Sequence, residues 1–99
     1  MNYYWDVQFE WDESKSNRCF AERGFDFAYA RRAFDDPHRM VKEDVRWDYG
    51  ECRFQLMGQI DGRVFVVVFA ERISSIRIIS ARKANQREVL TYGQQTSKT

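Results

Sequence analysis

The sequence predicts an α+β fold, in which a single antiparallel sheet of four to five strands is preceded by two helices and followed by a third. Several short segments alternate apolar and polar residues, which is typical of half-buried strands. Short turns join the later segments, and strands joined by short turns run antiparallel. Two capped segments with helical spacing precede them. Such a layer packs its helices mainly on one face and leaves the other face wet.

The first elements are a strand and a helix. Residues 7–11 alternate apolar and polar side chains and predict a half-buried strand. Asp12 or Ser14 can cap the following helix by accepting hydrogen bonds from backbone N–H groups. This helix is expected to end at Gly24, because glycine readily adopts the left-handed conformation that follows a helix C-terminus.

A second helix and a short strand come next. Asp26 can cap the helix, whose apolar residues share one face: Phe27, Ala30, Ala33 and Phe34. Pro37 ends it, because proline disfavours the helical conformation of the residue before it. Residues 39–43 predict a short strand, and residues 44–50 form an aromatic and acidic loop.

The rest of the sheet is a meander. Residues 53–58 and 64–70 predict two strands, and the Asp61-Gly62 pair between them is a strong hairpin signal. A further strand is predicted over residues 76–81. These strands complete the predicted sheet.

The last helix is predicted to begin at Asn85, and Glu88 completes a pair that resembles a capping box. The tail, residues 94–99, is polar. A chain of 99 residues has room for one hydrophobic core, so we expect a single domain with its core over about residues 6–93.

The composition excludes several classes of protein. The chain is 43% hydrophobic and 16% aromatic, so it is expected to fold. Its apolar runs fall well short of the ~20 residues that cross a bilayer, and its first residues do not form a secretory signal. Cys19 and Cys52 lack metal-ligand spacing, and we expect reduced, core-packed thiols in a cytoplasmic protein. We expect no metal, no cofactor and no membrane contact.

Charge is distributed unevenly along the chain. The net charge is +1, but residues 1–51 hold twelve acidic and eight basic residues, whereas residues 52–99 hold three and eight. This asymmetry indicates a basic surface for an anion and an acidic surface for something else. The alternative is that the two halves interleave in space and neutralise each other.

Positive charge is concentrated where the last strand meets the last helix. Arg77 and Arg82 leave a regular strand from opposite faces, although a bulge would re-aim Arg82. Lys83 and Arg87 flank the helix N-terminus, whose free N–H groups are suited to bind an anion. The alternative is that these cations pair with acidic residues elsewhere in the fold.

Several segments, in order along the chain, together resemble a known family. They are Phe9-Glu10-Trp11-Asp12 with Lys15, Gly24 with Phe27, Phe34-Asp35-Asp36-Pro37, Tyr49-Gly50-Glu51 with Arg53-Phe54, Gly58, Gly62, the valine strand, Glu71-Arg72, and Ile76 to Ala84 with Arg87-Glu88 and Tyr92. Over roughly residues 8–92 the chain resembles the BrnT toxins. The resemblance implies a RelE-like fold and a ribonuclease of a type II toxin–antitoxin pair that a BrnA-like antitoxin neutralises. It also implies inhibition of translation, and contact with DNA only through the antitoxin.

The chain departs from the family pattern at one place. The family commonly has Lys-His before the glycine that matches Gly24, and this chain has Glu22-Arg23. Cys19 stands where the family has asparagine. The single histidine, His38, matches no motif of the family.

The resemblance implies RNA cleavage without a metal, for which the candidate catalytic residues are Glu51, Arg53, Arg77 and Arg82. Guanidinium groups suit a phosphate because they donate parallel hydrogen bonds to its oxygens. Glu51 is either a base or the group that orients an arginine, and its pairing with Arg53 is alternatively only structural.

The candidate RNA-binding residues are Arg23, Lys83, Arg87 and Tyr92. Tyr92 either stacks on a base or packs in the core. Aromatic residues of terminal and loop stretches either fold back on the core or form a patch for the antitoxin: Tyr3, Tyr4, Trp5, Trp47 and Tyr49. An alternative to the nuclease is a noncatalytic module with the same fold that serves as antitoxin partner and corepressor.

Overall fold

A computed structural model describes residues 7–46 and 50–97, with side chains to residue 95. Its elements, in chain order, are β1 (Gln8–Trp11), α1 (Glu13–Arg23), α2 (Phe27–Ala30), a 3₁₀ helix (Arg31–Asp35), β2 (Met40–Asp44), β3 (Arg53–Ile60), β4 (Arg63–Glu71), β5 (Ser75–Lys83) and α3 (Gln86–Ser97). The α+β class agrees with the sequence prediction. The aromatic residues proposed as an antitoxin patch lie outside the described residues.

The five strands form one mixed sheet in the order β1-β5-β4-β3-β2. The prediction of a purely antiparallel sheet is wrong for β1, which pairs parallel to β5 through Phe9 opposite Ile76. Strands joined by short turns run antiparallel, and this holds for β2 to β5, which follow each other directly in the chain. The rule does not constrain β1, because most of the chain separates β1 from β5.

The two N-terminal helices pack on one face of the sheet, here called the core face. Phe34 lies at its centre, with ring centroids 4.9 Å from Phe9 and 5.1 Å from Phe69. Ala33 approaches the sheet so closely that a Cβ added to Gly58 would lie 2.3 Å from the Ala33 carbonyl oxygen. Glycine is therefore required at position 58 by the close approach of the 3₁₀ helix.

The helix ends follow the predicted capping rules. The Asp12 carboxylate accepts hydrogen bonds from the N–H groups of Ser14 and Lys15, and Gly24 ends α1 with φ of 86°. Asp26 caps α2 as predicted. The predicted second helix is, however, a four-residue α-helix followed by the five-residue 3₁₀ helix.

The third helix lies on the opposite side of the sheet. Tyr92 of α3 packs in a small cluster with Val64, Val66 and Ala84. Val64 and Val66 point away from the core face, because neighbouring strand residues alternate between faces. Within residues 7–46 and 50–97, α3 therefore covers one end of the face predicted to be wet and leaves the other end uncovered.

The two cysteines have different environments. Cys19 is buried, and its thiol donates to the Ala81 carbonyl oxygen at 3.6 Å, so α1 is tied to β5. Burial raises the pKa of the Cys19 thiol. Cys52 is exposed, so the prediction of a core-packed thiol is wrong there. In the described part of the chain, the helices are too short or too polar to cross a membrane.

Candidate active site

A β-bulge at Ile79 decides where the arginines of β5 point. Phe69 is opposite Ile78 and Val68 is opposite Ser80, so β5 carries one more residue than its partner at this step. A bulge of this kind shifts the alternation of side chains by one residue. Arg77 and Arg82 therefore leave the same face, although they would leave opposite faces of a regular strand.

The side of the sheet opposite the core face is here called the open face. Its strand residues, from the pairing register, are Glu10, Arg77, Ala70, Arg53 and Asp44 in one row; Ser80, Val68, Gln55 and Lys42 in the next; and Arg82, Val66, Met57 and Met40 in the third. Helix α3 packs against the third row and beyond. In the part of the chain that the structure describes, the first two rows lie beyond this helix packing and are here called the uncovered part, although Ala70 and Asp44 within them are buried.

Arg53 and Arg77 flank the same small residue. Both are opposite Ala70, one on each neighbouring strand, so their Cα atoms are about 10 Å apart. Ala70 is 0% exposed. Two long guanidinium side chains on either side of an alanine can reach a common anion above it, which is the arrangement expected for a phosphate site.

Arg82 is held by Glu88 of α3. Its two terminal nitrogens donate to the two carboxylate oxygens at 2.7 Å and 2.9 Å. The same carboxylate accepts from the Asn85 N–H at 2.9 Å, which completes the predicted capping box. Arg82 lowers the pKa of Glu88 to about 2, and Glu88 raises the pKa of Arg82. The Arg82 side chain remains 40% exposed.

Glu51 lies between two arginines at the edge of the open face. Its carboxylate is 3.9 Å from Arg53 Nε and 3.5 Å from a terminal nitrogen of Arg72. Arg77 has a carboxylate neighbour of its own, since one of its terminal nitrogens is 3.7 Å from a carboxylate oxygen of Glu10. Sequence reasoning missed Arg72, because the turn after β4 does not show which residue it brings near Glu51.

Further polar residues of the open face were also missed. Lys42, Gln55 and Ser80 share its second row. The positive charge of Lys42 contributes to the lowered pKa of Glu88, so it acts close to the Arg82 pair. The alternation of β2 and β3 places Lys42 and Gln55 on the same face as Arg53, but only the bulge adds Ser80 to that face.

The edge of the open face near β2 also carries a fixed ion pair. Asp44 is buried, and Arg46 donates to its two carboxylate oxygens at 2.8 Å and 2.9 Å. These hydrogen bonds lower the pKa of Asp44 to about 2. Asp44 therefore stays charged and cannot take up a proton from a substrate near neutral pH.

The predicted RNA-binding residues do not form one group. Arg23 lines a hollow of about 330 Å³ between α1 and β5, which also includes Lys15 and Ser80. Lys83 is opposite Phe65 and therefore leaves toward the core face, where it lines a second hollow with Arg23. Arg87 is exposed on α3.

Tyr92 packs in the core, which is the second of its two predicted alternatives. It is 6% exposed, and its hydroxyl donates to the buried Asp36 carboxylate. Asp36 also accepts from the N–H groups of Gln59 and His38. Burial raises the pKa of Tyr92, and the Asp36 contact adds to this. Tyr92 therefore fixes α3 to the sheet.

The fold and the open face together define a small α+β protein with a surface suited to bind phosphate groups. The comparison with family models gives the particular family. The model for the ribonuclease toxin BrnT of type II toxin–antitoxin systems matches residues 11–88, so the chain belongs to the BrnT family. This confirms the resemblance found in the sequence. The family implies an antitoxin protein as partner. A search of curated proteins finds no match to this chain.

Proposed function

We propose that this protein is a metal-independent endoribonuclease toxin whose active site is the uncovered part of the open face together with Arg82 at its border with α3. The observation that carries this proposal is the bulge at Ile79, which directs Arg77 and Arg82 to the face that also holds Arg53. Arginines from two strands there surround a surface wide enough for one phosphodiester. Bulges are common next to active sites because they re-aim a side chain.

The proposed reaction joins the 2′-oxygen of the RNA to the adjacent phosphorus while the bond from phosphorus to the 5′-oxygen breaks. Arg53, Arg77 and Arg82 donate hydrogen bonds to the phosphate oxygens and stabilise the charge of the phosphorane. Glu51 takes the proton of the 2′-hydroxyl. Water reaches the open face and supplies a proton to the leaving 5′-oxygen. The products are a 2′,3′-cyclic phosphate and a free 5′-hydroxyl.

The partners follow from the family and from the charge of the surface. A BrnA-like antitoxin neutralises the toxin by covering the open face, and the complex reaches DNA only through that antitoxin. The toxin acts in the cytoplasm, where cutting RNA stops translation. We also assign it a RelE-like arrangement of sheet and helices. Arg23, in the hollow between α1 and β5, and Arg87, exposed on α3, are the proposed contacts for flanking phosphates.

A second candidate function is a noncatalytic antitoxin partner that acts as a corepressor. Position 23 favours it, because Arg23 stands where the family commonly has histidine. An arginine stays charged and does not donate a proton at neutral pH. The two functions differ in one outcome, namely whether the isolated chain cuts RNA.

The test is to express the chain with and without its antitoxin and to incubate the purified chain with RNA in EDTA. The nuclease predicts growth arrest without the antitoxin and RNA fragments ending in 2′,3′-cyclic phosphate. An RNA with a single 2′-deoxy nucleotide at the cut position should stay intact there. A folded chain that neither arrests growth nor cuts RNA leaves only the noncatalytic function, and cleavage abolished by EDTA rejects metal independence.

A further inference from the structure

We propose that Glu88 is a positioning residue that fixes the Arg82 guanidinium for the phosphate and ties this arginine to the start of α3. This inference rests on the proposed nuclease function. Glu88 does not face the uncovered rows itself; it acts through Arg82. The family match ends at this residue and assigns no role to it.

The geometry at Glu88 combines two tasks in one carboxylate. One oxygen accepts from both Arg82 and the Asn85 N–H, and the other oxygen accepts from Arg82 alone. In return, the Asn85 side chain accepts from the Glu88 N–H at 2.8 Å. The Asn85 backbone N–H therefore holds the carboxylate, and the carboxylate holds the guanidinium, whereas the Asn85 side chain bonds only the helix backbone. Each element limits the rotation of the next.

The pair leaves Arg82 able to bind a ligand. A guanidinium has five N–H donors in a rigid plane, and a bidentate carboxylate uses two of them. One terminal nitrogen also lies 3.4 Å from the Lys83 carbonyl oxygen. The remaining donors point away from Glu88, and the side chain is partly exposed. An arginine fixed in this way loses less conformational entropy when it meets a phosphate than a free one does.

Glu88 is a poor candidate for the general base. Its carboxylate stays charged near neutral pH because Arg82 lowers its pKa to about 2. A base with so low a pKa has little driving force to take a proton. Its two oxygens are also already engaged by Arg82 and the Asn85 N–H. Its contribution to the reaction is therefore the orientation of Arg82.

The specific probe is Glu88→Gln. The glutamine carbonyl oxygen can still accept from the Asn85 N–H, because capping boxes use glutamate or glutamine alike. The glutamine amide group cannot accept the second Arg82 hydrogen bond. We expect kcat to fall about tenfold and KM to rise by a smaller, severalfold factor, because a misplaced catalytic group weakens the transition state more than the ground state.

The matched control is Asn85→Ala. It removes the oxygen that accepts from the Glu88 N–H but leaves the backbone N–H of residue 85 and both Arg82 contacts. We expect a lower melting temperature from the lost cap and an unchanged kcat at a temperature where the chain is folded. If Glu88 served only the fold, the activity of each variant would follow its stability, and Asn85→Ala would lose activity as well.

A double-mutant cycle tests whether Glu88 acts only through Arg82. Arg82→Ala should lower kcat more than Glu88→Gln does, and the double variant should match Arg82→Ala alone. A further fall in the double variant overturns the inference, and so does a native kcat in Glu88→Gln.

A readout without catalysis separates this inference from the nuclease proposal. Titration with a 2′-deoxy oligonucleotide, followed by NMR of arginine side chains, reports Arg82 directly. We expect restricted rotation of the Arg82 guanidinium in the native chain, free rotation in Glu88→Gln, and a severalfold weaker affinity of that variant. An inactive native chain with these results rejects the nuclease and keeps the positioning role. Equal rotation and equal affinity in the two chains reject the positioning role.

Discussion

The two faces of the sheet have different roles. On the core face, aromatic rings of the helices and strands interlock, and position 58 has no space even for a methyl group. On the open face, the strands present arginines whose contacts with carboxylates range from the tight Glu88 pair to distances of 3.7 Å and 3.9 Å. The core face therefore maintains the fold, and the open face keeps positive charge accessible.

This comparison predicts that substitutions on the two faces have separate consequences. Substitutions on the core face should lower the free energy of unfolding and leave the intrinsic chemistry intact. Substitutions on the open face should lower the rate of RNA cleavage and leave the fold intact. Helix α3 contributes to both the fold and the arginine surface, because Tyr92 anchors it to Asp36 while Glu88 holds Arg82.

The largest expected effect is on the open face. Arg82→Ala should lower kcat by about 10²–10³, the range found when a preorganised donor to a developing charge is removed. Its melting temperature should fall by only a few degrees, because the pair with Glu88 is lost while Glu88 still accepts from the Asn85 N–H and caps α3. Single-turnover cleavage and thermal unfolding measure the two quantities. A loss of activity that merely tracks unfolding would contradict the separation of the faces.

The largest effect on the core face is expected at Gly58. Gly58→Ala should lower the free energy of unfolding by about 3 kcal/mol, because the new methyl group meets the Ala33 backbone, which cannot rotate away. Urea unfolding measures this. Gly93→Ala is the matched control: its added methyl group meets open space on α3 and should be neutral or stabilising by up to about 1 kcal/mol. Equal effects at both positions would contradict the packing described.

Acid should weaken the ion pairs of the open face. Arg46 and Arg82 lower the pKa values of Asp44 and Glu88 to about 2, from ordinary values of 3.8 and 4.5. Because the folded values lie below the unfolded ones, the stabilisation is complete above pH 4.5 and is lost as the pH falls toward 2. We expect a loss of about 2 kcal/mol at most, since both arginines are partly exposed.

The measurement is the urea midpoint as a function of pH between 2 and 7. The double variant Asp44→Asn with Glu88→Gln should flatten the dependence in the acid range. A native slope in that variant would show that other carboxylates are responsible.

The smallest effect is expected at Tyr92. Tyr92→Phe removes one hydrogen bond to Asp36. Asp36 still accepts from the Gln59 and His38 N–H groups, so the free energy of unfolding should fall by only about 1 kcal/mol. Tyr29→Phe is the control, because its hydroxyl donates to Asp61 on the surface at 3.3 Å and should contribute close to nothing. Cleavage by Tyr92→Phe should remain near native, because the lost hydrogen bond to Asp36 serves the fold and not the arginine surface.

Local patterns in the sequence predicted much of the fold. Capping by Asp12 and Asp26, the end of α1 at Gly24 and the hairpin at Asp61-Gly62 are decided by neighbouring residues, and all four are observed. The parallel pairing of β1 with β5 could not be predicted in this way, because it joins segments that no short turn connects. The position of α3 over the open face also depends on a distant contact, that of Tyr92 with Asp36.

The candidate site was harder to predict for the same reason. Alternation placed Arg77 and Arg82 on opposite faces, and the extra residue at Ile79 reverses this. The bulge depends on how β4 and β5 pair, which the sequence of β5 alone does not show. Arg72 and Ser80 enter the site through the turn and the bulge, so residue type and spacing gave no signal for either.

The most direct test of the arginine surface is the single-turnover cleavage rate of Arg77→Ala beside Arg63→Ala. Both variants remove one positive charge from a strand, but Arg77 leaves the open face, whereas Arg63 is opposite Ile60 at the hairpin. Our account predicts a rate at least about tenfold lower for Arg77→Ala and a near-native rate for Arg63→Ala. Equal rates in the two variants would contradict it, because the cleavage would then not depend on which face carries the charge.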